Sequence, residues 1–215
     1  MYDIPHFVTG PFSPQNIFLS DEEYGRALDA IVKACSDAFI LSTQGTHVLL
    51  GKRKIHPQPD WWFIGGRVRP GETPQEAIVR NVKRELGLEI HPQRFHAIAT
   101  LSMVWAMRNE EPSNNGSADL AVIHSIYLNQ EEELAACSKP CPKEYHELKW
   151  WSLDDVMSQR DYFHPCLIQA LQALEARRAL EALDEALSKG EASSDIVLKA
   201  ATFVNKWKDT RVIHD

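Results

Sequence analysis

The sequence has neither the long apolar runs of a membrane protein nor the cysteine content of a disulfide-rich one. No stretch approaches the ~20 apolar residues that a membrane-spanning helix needs, and residues 1–20 lack the basic start and apolar block of a signal peptide. Four cysteines among 215 residues are too few for a disulfide framework, so we expect reduced thiols and a cytoplasmic protein. Cys137 and Cys141 are spaced more widely than paired zinc ligands usually are, and no zinc site is predicted.

Positive charge is also scarce. Lysine and arginine number 23 against 30 aspartates and glutamates, which gives a formal net charge of −7. Because affinity for duplex DNA comes largely from lysines and arginines that neutralise phosphates, this balance argues against a nucleic-acid duplex as a partner. A small anionic ligand stays compatible with the sequence, since a few basic residues in one place suffice to bind it.

The composition is that of an ordinary folded protein. Hydrophobic residues make up 44% of the chain and charged residues 25%. Single domains commonly contain roughly 100–150 residues, so we expect one domain with extensions. The predicted segments are an N-terminal arm and helix (residues 1–36), a central domain (residues 37–160) and a C-terminal helical extension that packs on the same domain (residues 161–215).

Strand patterns dominate the central domain. Before it, a helix is predicted from Ser20 to about Cys35, because Ser20 is an N-cap candidate followed by acidic residues. The short strand that begins at Trp61 is expected to stop at Gly65 and Gly66. Apolar, β-prone runs between turn residues predict strands over residues 38–42, 47–52, 61–64, 95–107, 120–128 and 148–151.

Helical patterns follow the last strand. Helices are predicted over residues 165–188 and 195–208, with Gly190 between them. In the first of these, leucines return to one helical face, and that face serves either the protein's own core or the contact of a homodimer. The leucines concerned are Leu167, Leu171, Leu174, Leu180, Leu183 and Leu187.

A short, well-delimited helix follows the two glycines. Thr73 is an N-cap candidate, Pro74 suits the first helical position, and Glu76 completes a Thr-x-x-Glu capping box. Gly87 can end the helix in the left-handed conformation. The sequence therefore predicts a strand, a glycine turn and a capped helix in immediate succession.

One acidic residue of this helix is a candidate metal ligand. The apolar residues Ile78, Val82 and Leu86 recur every four positions and should face the core, which leaves Asn81, Arg84 and Glu85 on another face. Glu85 can then point back toward the glycines. A carbonyl of Gly65 or Gly66 and the Glu85 carboxylate could share a hard divalent cation, and Mg²⁺ suits such oxygen ligands together with a diphosphate.

The same stretch resembles a known motif. Its spacing, G-x5-E-x7-R-x4-E-x-G followed by an apolar residue, is similar to the Nudix box, and the resemblance covers about residues 37–156. It implies a Nudix-like α/β/α sandwich with a mixed β-sheet, and a hydrolase that uses Mg²⁺, with Mn²⁺ as an alternative, on a nucleoside diphosphate joined to another moiety. The matching residues are Gly66, Glu72, Arg80, Glu85, Gly87 and Leu88.

The box departs from the usual pattern at two positions. Asn81 and Arg84 stand where two of its three clustered carboxylates are usually found. Because a guanidinium repels metal ions, the resemblance implies a single ion held by Gly65 or Gly66, Glu85 and Glu144. This reduced box is most similar to that of the GDP-mannose mannosyl hydrolases, a branch of the family that cleaves a nucleotide sugar at its glycosidic carbon.

The resemblance to that branch extends to further residues. Arg53 and Arg67 match arginines that stabilise the departing nucleoside diphosphate, and Asp37 falls near a sugar-contacting aspartate. Tyr145 aligns with a general-base histidine, and the neighbouring His146 could serve instead after a small shift of the chain. His124, in an apolar strand, is interpreted as a core residue. The resemblance thus implies Glu85, Arg67, Arg53 and His146 as catalytic candidates.

A second function stays open. A box with fewer carboxylates could bind a nucleotide without cleaving it, which would make the protein a binding or regulatory module. Glu72 and Arg80 are interpreted as a structural ion pair that steadies the loop and the helix, with Gly87 in a structural role as well. Trp61, Trp62 and Trp105 could stack on a base or belong to the core.

Overall fold

The structure is a computed structural model that describes residues 4–15, 17–136 and 144–210. The chain divides into two compact units, Met1–Ser152 and Leu153–Asp215. Cys137 and Cys141 lie outside the described residues, so the expectation about zinc at these positions is not addressed. No helix in the described part of the chain is long and apolar enough to cross a membrane.

The first unit is built on one mixed sheet. In the described residues it contains seven strands, with β1 at its centre. β1 pairs in parallel with β6 and antiparallel with β2 and β4, while β3 and β7 flank β2 and β5 flanks β6. The strands are β1 (Lys33–Leu41), β2 (His47–Arg53), β3 (Trp61–Trp62), β4 (Ile64–Arg67), β5 (His96–Trp105), β6 (Ser117–Tyr127) and β7 (Tyr145–Ser152).

Helices accompany the sheet: α1 (Asp21–Leu28), α2 (Pro74–Leu86) and α3 (Gln130–Ala136). α2 begins and ends as predicted. The Thr73 hydroxyl oxygen accepts a hydrogen bond from the Glu76 backbone N–H, and the Glu76 carboxylate accepts one from the Thr73 backbone N–H. Gly87 ends the helix at φ 73°. Its apolar face packs on the sheet, where Ile78 and Val82 are fully buried beside sheet residues such as Ile40.

Two boundaries differ from the sequence-based predictions. The first helix ends at Leu28 rather than near Cys35, because residues from Lys33 onward pair with β6 and the sheet overrides local helical preference. Gly65 and Gly66 do not end a strand; they lie within β4, opposite Asp37 and Ser36 of β1. α3 and α4 (Leu153–Ser158) were not predicted.

The second unit is helical. It contains α4, α5 (Pro165–Lys189) and α6 (Ser193–Asp209), and α5 ends at Gly190 with φ 65°. α5 and α6 pack on each other, and the Gln169 amide donates to the Thr210 carbonyl at 2.6 Å. The leucine-bearing face of α5 differs in burial along the helix, since Leu167 is buried whereas Leu187 is 55% exposed. The predicted fold class, a mixed α/β sheet with an N-terminal helix and C-terminal helices, is confirmed.

Candidate active site

A cavity of about 230 Å³ opens in the first unit. Its walls come from strands β1 to β6, from α1 and α2, and from the start of β7. Most of the predicted site residues line it, whereas Glu85 and His146 are absent from its lining. The predicted residues that line the cavity are Asp37, Arg53, Gly65, Gly66, Arg67, Glu144 and Tyr145.

Five lysine and arginine side chains line this cavity, one of them Arg108 from the chain after β5. Lys33 comes from β1, Arg53 from β2, Arg67 from β4 and Arg84 from α2. Acidic side chains line the cavity as well, and Lys33 is already paired with one of them, Asp119. These acidic residues are Asp37, Glu110, Asp119 and Glu144. Guanidinium groups offer paired N–H donors that fit phosphate oxygens, so the cavity is suited to an anionic ligand.

Glu85 lies beneath the cavity wall and is almost completely buried. Both of its carboxylate oxygens accept hydrogen bonds, Oε1 from the Arg84 guanidinium and Oε2 from the Tyr145 hydroxyl. Burial raises the pKa of Glu85, although the two donors act in the opposite direction. Burial likewise raises the pKa of the Tyr145 hydroxyl, which therefore stays a donor to Glu85.

Strand β2 makes room for this tyrosine. A methyl group added at Gly51 would come within 2.3 Å of the Tyr145 ring. That distance is far below van der Waals contact, so the ring occupies the space that a side chain at position 51 would need. The hydrogen bond from Tyr145 to Glu85 thus depends on a residue without a side chain.

The residues around Glu85 do not fit the predicted magnesium ion. A positive group, the Arg84 guanidinium, already contacts Glu85, and its Nη2 lies 3.5 Å from the point where a Cβ on Gly66 would sit. Tyr145 occupies the other carboxylate oxygen. In residues 4–15, 17–136 and 144–210, no three His, Cys, Asp or Glu side chains form a group that could hold a metal ion. Glu144, the fourth predicted ligand, is half-buried at the cavity.

Two further acids lie in the cavity wall. Asp37 of β1 is 5% exposed and faces Gly65, where an added Cβ would lie 2.3 Å from its Oδ1. Burial raises the pKa of Asp37 to about 7, while the neighbouring Arg53 works in the opposite direction. Asp119 of β6 pairs with Lys33 at 3.2 Å and accepts a hydrogen bond from the Trp105 indole at 3.0 Å.

Sequence analysis missed Lys33 and Asp119. They stand opposite each other in the parallel pairing of β1 with β6, a register that no local pattern in the sequence specifies.

Two of the three tryptophans considered as base-stacking candidates line the cavity. Trp62 and Trp105 line the cavity and contact each other edge to face, whereas Trp61 lies outside the lining and packs against Trp151.

α1 forms one wall of the cavity. Its Tyr24 ring lies 5.0 Å from the Arg67 guanidinium, a cation–π distance. The helix end is tied to the chain after β5, because the buried Arg108 donates to Asp29 at 2.7 Å. The same guanidinium donates to the carbonyl oxygens of Gly116 and Glu110. Arg67 is thus flanked by an element outside the region that resembles the Nudix box.

Glu72 and Arg80, interpreted from the sequence as a structural ion pair, contact each other. Arg80 Nη2 donates to Glu72 at 2.7 Å and to the Arg67 carbonyl at 2.9 Å.

His146 is exposed, and its role as a general base stays a prediction. His124 is fully buried, its Nδ1 lies 3.3 Å from the Ser36 hydroxyl, and burial lowers its pKa to about 4.

Comparison with known proteins gives matches over the same region. The model of the NUDIX domain matches residues 34–174. The NAD-capped RNA hydrolase NudC of Stutzerimonas stutzeri is 25% identical over 118 residues, which are 54% of this chain and 36% of that protein. The human 8-oxo-dGDP phosphatase NUDT18 is 34% identical over 68 residues, 32% of this chain and 21% of that protein.

Solved structures match over a longer part of the chain. A NUDIX hydrolase from Nitrosomonas europaea has 17% identity and a TM-score of 0.49, covering 68% of this chain and 90% of that one. The MutT NUDIX hydrolase from Burkholderia pseudomallei has 23% identity and a TM-score of 0.46, covering 58% and 86%. The chain spans about a third or less of the length of the curated relatives named above.

Proposed function

The chain belongs to the NUDIX family, and on this premise we propose that it hydrolyses a nucleoside diphosphate joined to another moiety. The observation that carries the proposal is the meeting of Lys33, Arg53, Arg67 and Arg84 in one cavity beside the glycines of β4. A diphosphate concentrates negative charge on neighbouring oxygens. Several converging guanidinium groups can neutralise it at once.

A nucleoside diphosphate sugar, cleaved at the glycosidic carbon, is the substrate class that we propose. Attack at carbon makes the nucleoside diphosphate the leaving group, so charge grows on its oxygens as the bond breaks. Arg53 and Arg67 are the residues that would neutralise this charge. Trp62 and Trp105 offer apolar ring surface, and Asp37 offers a polar contact, for the sugar or the base.

The attacking water needs a proton acceptor within hydrogen-bond reach. In this proposal His146 acts as that base, which requires the start of β7 to turn His146 toward the cavity. His146→Ala tests the assignment directly. A variant with unchanged kcat would remove His146 from the mechanism and leave the arginine cluster as its basis.

The activity is tested with a panel of nucleoside diphosphate sugars, dinucleotides and nucleoside triphosphates, each with Mg²⁺, with Mn²⁺ and with a chelator. Release of nucleotide from at least one compound is expected, and no release from any of them would overturn the proposal. Hydrolysis in ¹⁸O-labelled water identifies the point of attack. Label on the sugar supports attack at carbon, whereas label on phosphate contradicts it.

A second candidate function is a module that binds a nucleotide without cleaving it. The hydrogen bonding of Glu85 favours it, since Arg84 donates to one carboxylate oxygen and Tyr145 donates to the other. Saturable binding of a nucleoside diphosphate, together with no turnover in any of the conditions above, would support this function over hydrolysis.

A further inference from the structure

The Arg84 guanidinium lies between the buried Glu85 carboxylate and the cavity. It contacts the Glu85 carboxylate, lies near Gly66 and lines the cavity together with Arg53 and Arg67. The Arg84 side chain is 47% exposed, whereas that of Glu85 is 1% exposed. One end of this ion pair is therefore fixed in the protein, and the other end faces the ligand space.

We propose that the Arg84 guanidinium replaces a divalent cation at this site, so that the protein binds nucleoside diphosphates without metal. This inference rests on the proposed function, because it assumes that the ligand carries a diphosphate. A guanidinium has five N–H donors. The contact with Glu85 engages Nη2 and leaves further donors for phosphate oxygens.

The surroundings of Glu85 favour the arginine over an ion. A metal that bound Glu85 would have to displace Arg84 from one oxygen and the Tyr145 hydroxyl from the other. The displaced guanidinium would also stay close to the ion and repel it. Tyr145 is itself buried and fixed above Gly51, so its hydroxyl has little freedom to move away.

Charge in the rest of the cavity agrees with this assignment. Arg53 and Arg67 supply further positive charge at the cavity, whereas the charge of Lys33 is paired with Asp119. Three guanidinium groups, those of Arg53, Arg67 and Arg84, can therefore contribute positive charge and hydrogen bonds to a diphosphate. A guanidinium does not lower the pKa of a bound water as a metal does, so the role assigned to Arg84 is binding and charge neutralisation.

The test measures binding of ADP, GDP, UDP and CDP to the full chain by calorimetry, once in a chelator and once in Mg²⁺. For the wild type we expect at least one of them to bind with dissociation constants in the two buffers that agree within about threefold. Arg84→Gln should weaken this binding at least about tenfold, the usual effect of losing one charge-assisted hydrogen bond, and Mg²⁺ should not restore it.

Arg84→Glu provides the opposite test. It places a second carboxylate beside Glu85, so nucleotide binding should become weak in chelator and recover at least about tenfold in Mg²⁺. Arg177→Gln is the matched control, because Arg177 also pairs with a glutamate, Glu181, but lies outside the cavity. Its dissociation constants should equal those of the wild type. Circular dichroism checks that every variant is folded.

The outcomes separate the two proposals. Binding by the wild type only in Mg²⁺ would overturn the role of Arg84 and leave the proposed function standing. No binding of any of the four nucleotides in either buffer would overturn the nucleotide site itself. Unchanged binding by Arg84→Gln would show that the nucleotide site exists and that Arg84 does not serve it.

Discussion

Three buried acids lie at or beneath the cavity, and each has a different electrostatic environment. Glu85 accepts hydrogen bonds from Arg84 and Tyr145, and Asp119 pairs with Lys33. For Asp37, burial outweighs the influence of Arg53 and raises the pKa. The local environment of a carboxyl group therefore decides its hydrogen bonding and, for Asp37, also its pKa.

Asp37 should make the stability of the protein depend on pH. Its pKa rises from 3.8 to about 7 on folding, so the folded protein holds a proton that the unfolded chain releases, and stability falls as pH rises through this window. Asp37→Asn cannot ionise and should melt at least about 3 °C higher than the wild type at pH 8, since 1 kcal/mol corresponds to roughly 2–4 °C here.

Melting curves by differential scanning fluorimetry at pH 4.5 and pH 8 check this effect. The gain should be small at the lower pH, where Asp37 is protonated in the folded wild type. Asp209→Asn, at an exposed position outside the cavity, serves as the control. Equal gains at both pH values would contradict the assigned cause.

Glu85→Gln should lower kcat at least about a hundredfold, which is the scale of losing a preorganised electrostatic contact. The amide cannot hold the Arg84 guanidinium as an ion pair, although its shape preserves the packing. Steady-state kinetics measures the effect, and an unchanged melting temperature would show that the fold survives. Glu89→Gln, at an exposed glutamate paired with Lys83, is the matched control. Full activity in Glu85→Gln would remove Glu85 from the site.

At the scale of elements, the start and the end of α2 are both specified by residues close to them in the sequence. Its capping box and its left-handed Gly87 lie within one segment, so both ends could be predicted. The end of α1 and the position of β4 depend on pairing with distant strands, and sequence patterns alone misplaced both. The resemblance to a known motif named Arg53 and Arg67 as binding candidates, whereas Lys33, Arg84 and Asp119 join the cavity through pairings and contacts that the sequence pattern does not specify.

Thr73→Ala should lower the free energy of unfolding by about 1 kcal/mol, because it removes the side-chain acceptor of the helix N-cap. Thr73→Ser keeps a hydroxyl at the same place and should retain most of the stability. Urea unfolding followed by circular dichroism compares the two. Equal stability of the alanine and serine variants would show that the cap contributes nothing measurable.

Arg108 links α1 to the chain after β5. Arg108→Ala should lower the free energy of unfolding by about 2 kcal/mol, at about 1 kcal/mol for each hydrogen bond that the buried guanidinium donates to the carbonyl oxygens of Gly116 and Glu110. The substitution also removes the contact with the exposed Asp29. Arg178→Ala breaks a partly exposed pair with Glu175 and should cost well under that amount. Urea unfolding measures both, and similar losses would contradict an anchoring role for Arg108.

At the scale of the whole molecule, the sequence predicts that the C-terminal helices pack on the central domain, and this stays a prediction. We expect one calorimetric unfolding transition. A helical unit of about 60 residues is marginal by itself, and no residue of α6 is buried. Two separate transitions would show that Leu153–Asp215 unfolds independently. A homodimer also stays a prediction, which sedimentation equilibrium can test.

The absence of a side chain at Gly51 limits which substitutions this position can accept during evolution. Even an alanine there would push the phenol ring of Tyr145 aside and leave one oxygen of Glu85 open to a new neighbour. A single methyl group on β2 would therefore change the hydrogen bonding of the buried acid, while the Arg84 guanidinium still contacts its other oxygen. Position 51 thus controls the environment of Glu85 without a change to the acid or to its arginine.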